Sequence, residues 1–195
     1  MSLNNFAYIQ RISRHIAESF MRRKPICDFA WQIDNVLPEQ LLTEIDEYYD
    51  NNTAWDSVDL QEDNPRRAIT WTQDVNTTHN RLYWAFQQLT PVICHIWRET
   101  VDFSSLNMWE DSEEYTIEPH VDNDELNYAI QVYVNDADPR CGTAMYLKNY
   151  RRQYEEIYRV PFIRNTGYVL KNGADSHHGM MTKGNIRRSL YVNFR

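Results

Sequence analysis

The stretch Leu126-Asn127-Tyr128-Ala129-Ile130-Gln131-Val132-Tyr133-Val134 decides the fold. Leu126, Tyr128, Ile130, Val132 and Val134 fall on one face of an extended chain, and Ala129, Gln131 and Tyr133 fall on the other. The same division recurs at 187–194, where Leu190, Val192 and Phe194 oppose Arg187, Ser189, Tyr191 and Asn193. Stretches near 105–110, 115–119, 143–148 and 166–171 also have strand character. Strands with one apolar and one polar face suit a sheet that packs on helices outside and lines a cavity inside. A double-sheet jelly roll does this.

Toward the N-terminus the pattern changes. Gly142, Gly167, Gly173, Gly179 and Gly184 are the only glycines, so the first two-thirds of the chain has none. That asymmetry predicts a helix-rich front and a turn-rich, strand-rich back. Phe6, Ile9, Ile12, Ile16 and Phe20 recur at helical spacing. Pro38 suits the first turn of a second helix with Leu41, Leu42, Ile45 and Tyr49 on one face. Leu82, Phe86, Leu89, Ile93, Ile96 and Trp97 mark a third, interrupted or kinked at Pro91. Such stripes are read as core-facing. The polar segment 51–68 is expected to be a long loop. The fold class is therefore α+β, mainly β, with supporting N-terminal helices. One domain is expected over 1–195, with 1–104 as helix-rich support and 105–195 as the jelly-roll core.

The 195 residues suffice for one sizeable core, and 42% hydrophobic content argues against disorder. No apolar run approaches membrane-span length, and no signal-peptide pattern opens the sequence. Cys27, Cys94 and Cys141 show no zinc-type pairing and are expected to be free thiols in a reducing cytoplasm. A net charge of -8 argues against a nucleic-acid partner held mainly through phosphates. The basic clusters Arg22-Arg23-Lys24 and Arg151-Arg152 read as solvated surface, as does the acidic group Glu110, Asp111, Glu113 and Glu114.

The chemistry concentrates at Glu118-Pro119-His120-Val121-Asp122. On a strand, residues two apart point the same way, so His120 and Asp122 would face one cavity. Ser176-His177-His178-Gly179-Met180 offers a third ligand. Two histidines and one carboxylate on one face of an octahedron leave three positions open, the facial triad of non-haem Fe(II) oxygenases. His-x-Asp alone is a weak signal. Arg187 and Ser189 strengthen it, because a guanidinium fork and a hydroxyl on one strand face suit a carboxylate. His15, His79 and His95 lie on predicted helices or their starts and receive no metal role.

From about Asn107 to Arg195 the sequence resembles the 2-oxoglutarate/Fe(II)-dependent dioxygenases, most closely the prolyl-hydroxylase-like branch. The ordered pieces are His120-Val121-Asp122, Gln131-Val132-Tyr133-Val134-Asn135, Gly142-Thr143 and Asn165-Thr166-Gly167-Tyr168. His178-Gly179-Met180 and Arg187-Arg188-Ser189-Leu190-Tyr191-Val192-Asn193-Phe194 follow. The resemblance implies a double-stranded β-helix of cupin-like type. It implies Fe(II) on His120, Asp122 and His178, with Arg187 pairing with the distal carboxylate of 2-oxoglutarate. Tyr133 matches a tyrosine that hydrogen-bonds this cosubstrate, and Ser189 is a weaker candidate. Dioxygen is the other cosubstrate. The implied reaction hydroxylates a C–H bond of a peptidyl proline or a small molecule and releases succinate and CO2. Retention of Asp122 favours hydroxylation over halogenation, since halogenating relatives have a small residue there. Where the family often has a tyrosine before the first histidine, this chain has Glu110 beside Trp109.

Two ambiguities stay open on sequence alone: His177 against His178, and Arg187 against Arg188, whose expected role is a surface salt bridge. Two other functions compete. A zinc hydrolase would use the same three ligands but leaves Arg187 and Tyr133 without a role. A jelly-roll binding module without metal is the non-enzymatic alternative. Oligomeric state is not readable from these residues.

Overall fold

The computed structural model describes residues 3–59, 66–69 and 77–195. The chain opens with α1 (Leu3–Met21), the hairpin β1 (Lys24–Cys27) and β2 (Ala30–Asp34), and α2 (Glu39–Asn51). Strands β3 (Trp55–Asp59) and β4 (Arg66–Ile69) precede α3 (Thr78–Gln87) and α4 (Thr90–Trp97). The remainder is strand: β5 (Phe103–Asp111), β6 (Thr116–His120), β7 (Tyr128–Tyr133), β8 (Ala144–Lys148), β9 (Tyr154–Arg159), β10 (Thr166–Lys171), β11 (His178–Met181) and β12 (Arg187–Phe194).

These strands form two antiparallel sheets. The larger runs β1-β2-β10-β7-β12-β5-β4-β3 and the smaller β6-β11-β8-β9. Together they make the expected jelly roll. Alternation along β7, β10 and β12 divides the apolar side chains between two cores. Ile130, Val132, Val169, Leu190, Val192 and Phe194 pack outward on the helices. Ala129, Tyr133, Tyr168, Leu170 and Tyr191 turn inward and meet Met145, Val160 and Phe162. At roughly 1.5–3 kcal/mol for each fully buried large apolar side chain, the outer core is the main force holding helices on sheet. Gly142 sits where a Cβ would lie 1.6 Å from the Val160 carbonyl oxygen, so only glycine allows this approach.

The front departs from expectation in instructive ways. Residues 1–104 contribute four strands to the larger sheet as well as the helices. The segment expected as a loop over 51–68 holds β3 and the start of β4, and 60–65 lie outside the described residues. Its polar side chains are satisfied across strands, and that pairing leaves no local signature: Arg67 bonds Glu110 of β5 and lies 4.1 Å over the Trp55 ring. The exposed edge strand β9, with tyrosine and glutamate interleaved, has no apolar face and escapes a hydrophobic pattern. Pro38 is the N-cap of α2 with extended backbone, one step outside the first turn. The break at Pro91 is a full separation of α3 from α4, with Pro91 in the first turn of α4. Phe6 falls off the buried face of α1 and is 48% exposed, in a surface groove shared with Trp84. Among the described residues no helix is long and apolar enough to cross a membrane, and Cys27, Cys94 and Cys141 are free.

Candidate active site

Strands β6 and β11 pair so that His178 stands directly opposite His120, their ring centroids 4.5 Å apart. The ladder slips between His178 and Met180. Gly179 makes the slip feasible, because a Cβ there would lie 2.6 Å from the Ile117 carbonyl oxygen. Such irregularities re-aim side chains at the rim of a sheet. Each ring is fixed by its Nδ1, 2.9 Å from the Glu118 carbonyl oxygen for His120 and 3.1 Å from that of Ser176 for His178. A carbonyl only accepts, so Nδ1 carries the proton and the Nε2 lone pair of each ring is free for a ligand.

Asp122 completes the group from a position that differs from the one expected. It lies in the loop after β6, beyond the strand's last residue. Its Oδ1 is nevertheless 3.6 Å from Nε2 of both histidines, and the candidate ligand atoms all lie within 4.8 Å of one another. A divalent ion about 2 Å from each ligand suits this spacing. His177 takes no part: its ring lies 4.9 Å from Tyr154, and its carbonyl accepts from the Tyr146 amide.

The electrostatics fit a cation. Burial holds the His178 imidazole below the usual histidine range and therefore neutral. His120 moves the other way, raised mainly by the Asp122 carboxylate, which can accept a proton borne on Nε2. Burial pushes the Asp122 carboxyl up, but His120, His178 and Tyr191 more than offset it, and the net shift is downward. A cavity of about 50 Å³, room for a few waters, adjoins the three side chains. Its walls include Arg66, Trp109, Gln131, Thr143, Tyr168 and Tyr191. A larger cavity of about 520 Å³ lies against the loop 172–176, which leads into His178, and is also lined by Cys27, Phe29 and Leu147.

Glu110 and Asp111, expected in a solvated loop, are buried at the end of β5, and each is the centre of a row of charges. The register places Arg66 and Arg187 on either side of Asp111, and Arg67 and Arg188 on either side of Glu110. In the inner row Asp111 accepts from Arg66 Nε at 2.6 Å and Nη2 at 3.3 Å, and its Oδ2 is 3.6 Å from Arg187 Nη1. In the outer row Glu110 takes Arg67 and Arg188, and Arg188 also reaches Asp50 at 2.8 Å. Arg188 is thus a salt-bridging residue.

Arg187 is different. Its side chain is 0% exposed, yet among the described residues Nε, Nη1 and Nη2 have no hydrogen-bond partner. Buried donors are almost always satisfied, so this guanidinium has the capacity to take an acceptor. It lies against the rings of Phe162 and Tyr133, with its carbon 5.0 and 5.4 Å from their centroids. The hydroxyl of Tyr133 is already engaged, donating to Thr143 Oγ1 and accepting from the Thr143 amide, both at 3.0 Å. Ser189 Oγ accepts from Gln131 Nε2 at 3.0 Å, and Gln131 Oε1 accepts from Tyr168 and Thr143. Two functional features escaped the sequence reading: Arg66, which enters from a stretch expected to be a loop, and Tyr191, whose hydroxyl donates to Asp122 Oδ2 at 2.8 Å. The inward phase of Tyr191 on its strand was the available signal.

No protein-family model and no curated protein matches the sequence. The fold has close counterparts among solved structures. A Pseudomonas putida prolyl-4-hydroxylase superimposes with a TM-score of 0.64 at 14% identity, over 94% of this chain and 98% of its own. A non-heme alpha ketoglutarate dependent epimerase from nogalamycin biosynthesis gives 0.63 at 11% identity, over 96% and 80%. A Trichoplax adhaerens prolyl hydroxylase, in complex with a hypoxia inducible factor oxygen degradation domain peptide fragment, gives 0.58 at 11% identity, over 100% and 93%. The chain thus has the fold of the prolyl hydroxylases and 2-oxoglutarate–Fe(II) oxygenases, the group its sequence resembles.

Proposed function

We propose that this protein is a 2-oxoglutarate- and Fe(II)-dependent dioxygenase that hydroxylates a C–H bond of a peptidyl proline or a small molecule. His120, Asp122 and His178 hold the metal, and Arg187 takes the distal carboxylate of 2-oxoglutarate. Arg187 carries the reading, because a buried fork of unpaired N–H donors fits a carboxylate. A zinc hydrolase has no use for it.

Charge matching supports the same assignment. Arg66, Asp111 and Arg187 leave one positive charge uncompensated inside the barrel. A divalent ion on Asp122 with two neutral histidines leaves another. A dicarboxylate matches both. Iron held by His120, Asp122 and His178 would, with 2-oxoglutarate and dioxygen, supply the oxidation of the C–H bond, with succinate and CO2 as co-products. The chain orients the reactants. His120 and His178 present Nε2, their Nδ1 protons held by Glu118 and Ser176. Tyr133 and Ser189 form the wall beside Arg187.

The test is anaerobic addition of Fe(II) and 2-oxoglutarate. The expected result is the weak visible charge-transfer band of the chelate, then succinate when oxygen is admitted. A protein that gives neither, and binds zinc instead, overturns the proposal.

A further inference from the structure

The geometry points to Tyr191 as the positioning residue for the Asp122 ligand, acting across the two sheets of the barrel; this rests on the metal reading above. His120 and His178 are fixed by the ladder between β6 and β11. Asp122 has no such support, since it lies in the loop past the end of β6. Among the described residues, two hydrogen bonds from outside the metal group anchor it. Asn172 Nδ2 holds its backbone carbonyl at 3.4 Å, and the Tyr191 hydroxyl donates to Oδ2 at 2.8 Å. Tyr191 belongs to β12 in the larger sheet, whereas the histidines belong to the smaller one. Its bond therefore spans the cavity and ties the ligand loop to the opposite wall.

The bond is selective. Tyr191 occupies Oδ2, which leaves Oδ1 turned to both Nε2 atoms at 3.6 Å. It thereby favours one-oxygen coordination and keeps other metal positions open. The ring of Tyr191 is itself held, stacked on Trp109 at 4.2 Å and 17°. Trp109 in turn meets the Arg66 guanidinium, 3.9 Å from its ring centroid, and Arg66 is clamped by Asp111. An unbroken packed path thus runs from the inner charge row to the carboxylate of the metal site.

The experiment titrates Co(II) into wild-type protein, Tyr191→Phe, Asp122→Asn and the double variant. Phe preserves the stack and removes only the hydroxyl. The expected result for Tyr191→Phe is a Kd raised roughly 10–100-fold, the usual effect of losing an outer partner of a ligand. Its visible Co(II) spectrum should change, and the melting temperature of the metal-free protein should stay within a few degrees. On the Asp122→Asn background the Tyr191→Phe change should add little, because the two groups act as one unit. An unchanged Kd and spectrum in a wild type that binds Co(II) overturns this inference alone. Full additivity in the cycle does so too. A wild type that binds no metal overturns the metal reading and this inference with it.

Discussion

Replacing Arg187 with methionine should make the protein more stable and unable to respond to 2-oxoglutarate. The guanidinium is fully buried, and its three nitrogens lack hydrogen-bond partners. Among the described residues its one ionic neighbour, Asp111, is 3.6 Å away and already bound by two nitrogens of Arg66. Removing Arg187 therefore strands no anion. Methionine fills a similar path between Tyr133 and Phe162 without a charge to desolvate. Exchanging buried charges for apolar groups of similar volume is often neutral or stabilising by about 1–4 kcal/mol. Each kcal/mol is worth roughly 2–4 °C in a chain of this size. The assay is thermal unfolding of the metal-free protein, followed by Fe(II)-loaded protein without oxygen and with 2-oxoglutarate at increasing concentration. Wild-type protein should gain about 2.7 kcal/mol at a hundred times the Kd, and Arg187→Met should gain almost nothing. A variant that melts well below wild type, yet is still stabilised by 2-oxoglutarate, would refute both the orphaned state of the guanidinium and its role.

Other expectations follow from the same geometry. His178→Ala should lose metal binding in a titration followed by calorimetry, while His177→Ala, whose ring packs on Tyr154, should keep it. Metal affinity should fall on acidification, beginning above pH 6.5, because Asp122 raises the His120 pKa in the metal-free protein and the proton competes for Nε2. The sign for stability is opposite: a raised folded-state pKa gives the metal-free fold stability at low pH that is lost as pH rises through it. Because the lowered pKa of buried His178 acts in the other direction, the His120 contribution is read as the stability difference between wild type and His120→Gln from pH 5 to 8, beside the metal affinity of wild type. Gly142→Ala should destabilise by more than about 3 kcal/mol in denaturant unfolding, since backbone must move to admit its Cβ.

The barrel and its helices were legible because their signals are local. Alternation at 126–134 and 187–194 marks strands buried on two unlike faces, and the stripes from Ile9 to Phe20 and from Leu41 to Tyr49 mark helices buried on one. His120, Asp122, His178 and Arg187 were nameable from order and residue type. The structure brings the first three together and buries the fourth. Arg66 was hidden because its partner Asp111 lies far along the chain, so each looked like a solvated charge on its own. A period of two sets Asp122 on the strand only if the strand continues, and β6 stops at His120. The engaged hydroxyl of Tyr133 depends on Thr143 across the interior, which periodicity cannot reveal.

The two charge rows have a consequence for how the chain can be divided. Adjacent residues on three neighbouring strands carry the same Arg–acid–Arg order on opposite faces of one sheet. Sliding β5 by a single residue would set one acid between the other row's arginines and leave the remaining arginine pair with no acid opposite, so together the rows work as a two-sided key for strand alignment. One third of that key, Arg66 and Arg67, comes from the front of the chain. A fragment begun at residue 105 would keep every candidate iron ligand and Arg187, but would leave Asp111 and Glu110 with one arginine each. The half that carries the motifs is therefore not a self-sufficient module, and shuffling or truncation at that boundary should scramble alignment before it touches the ligands.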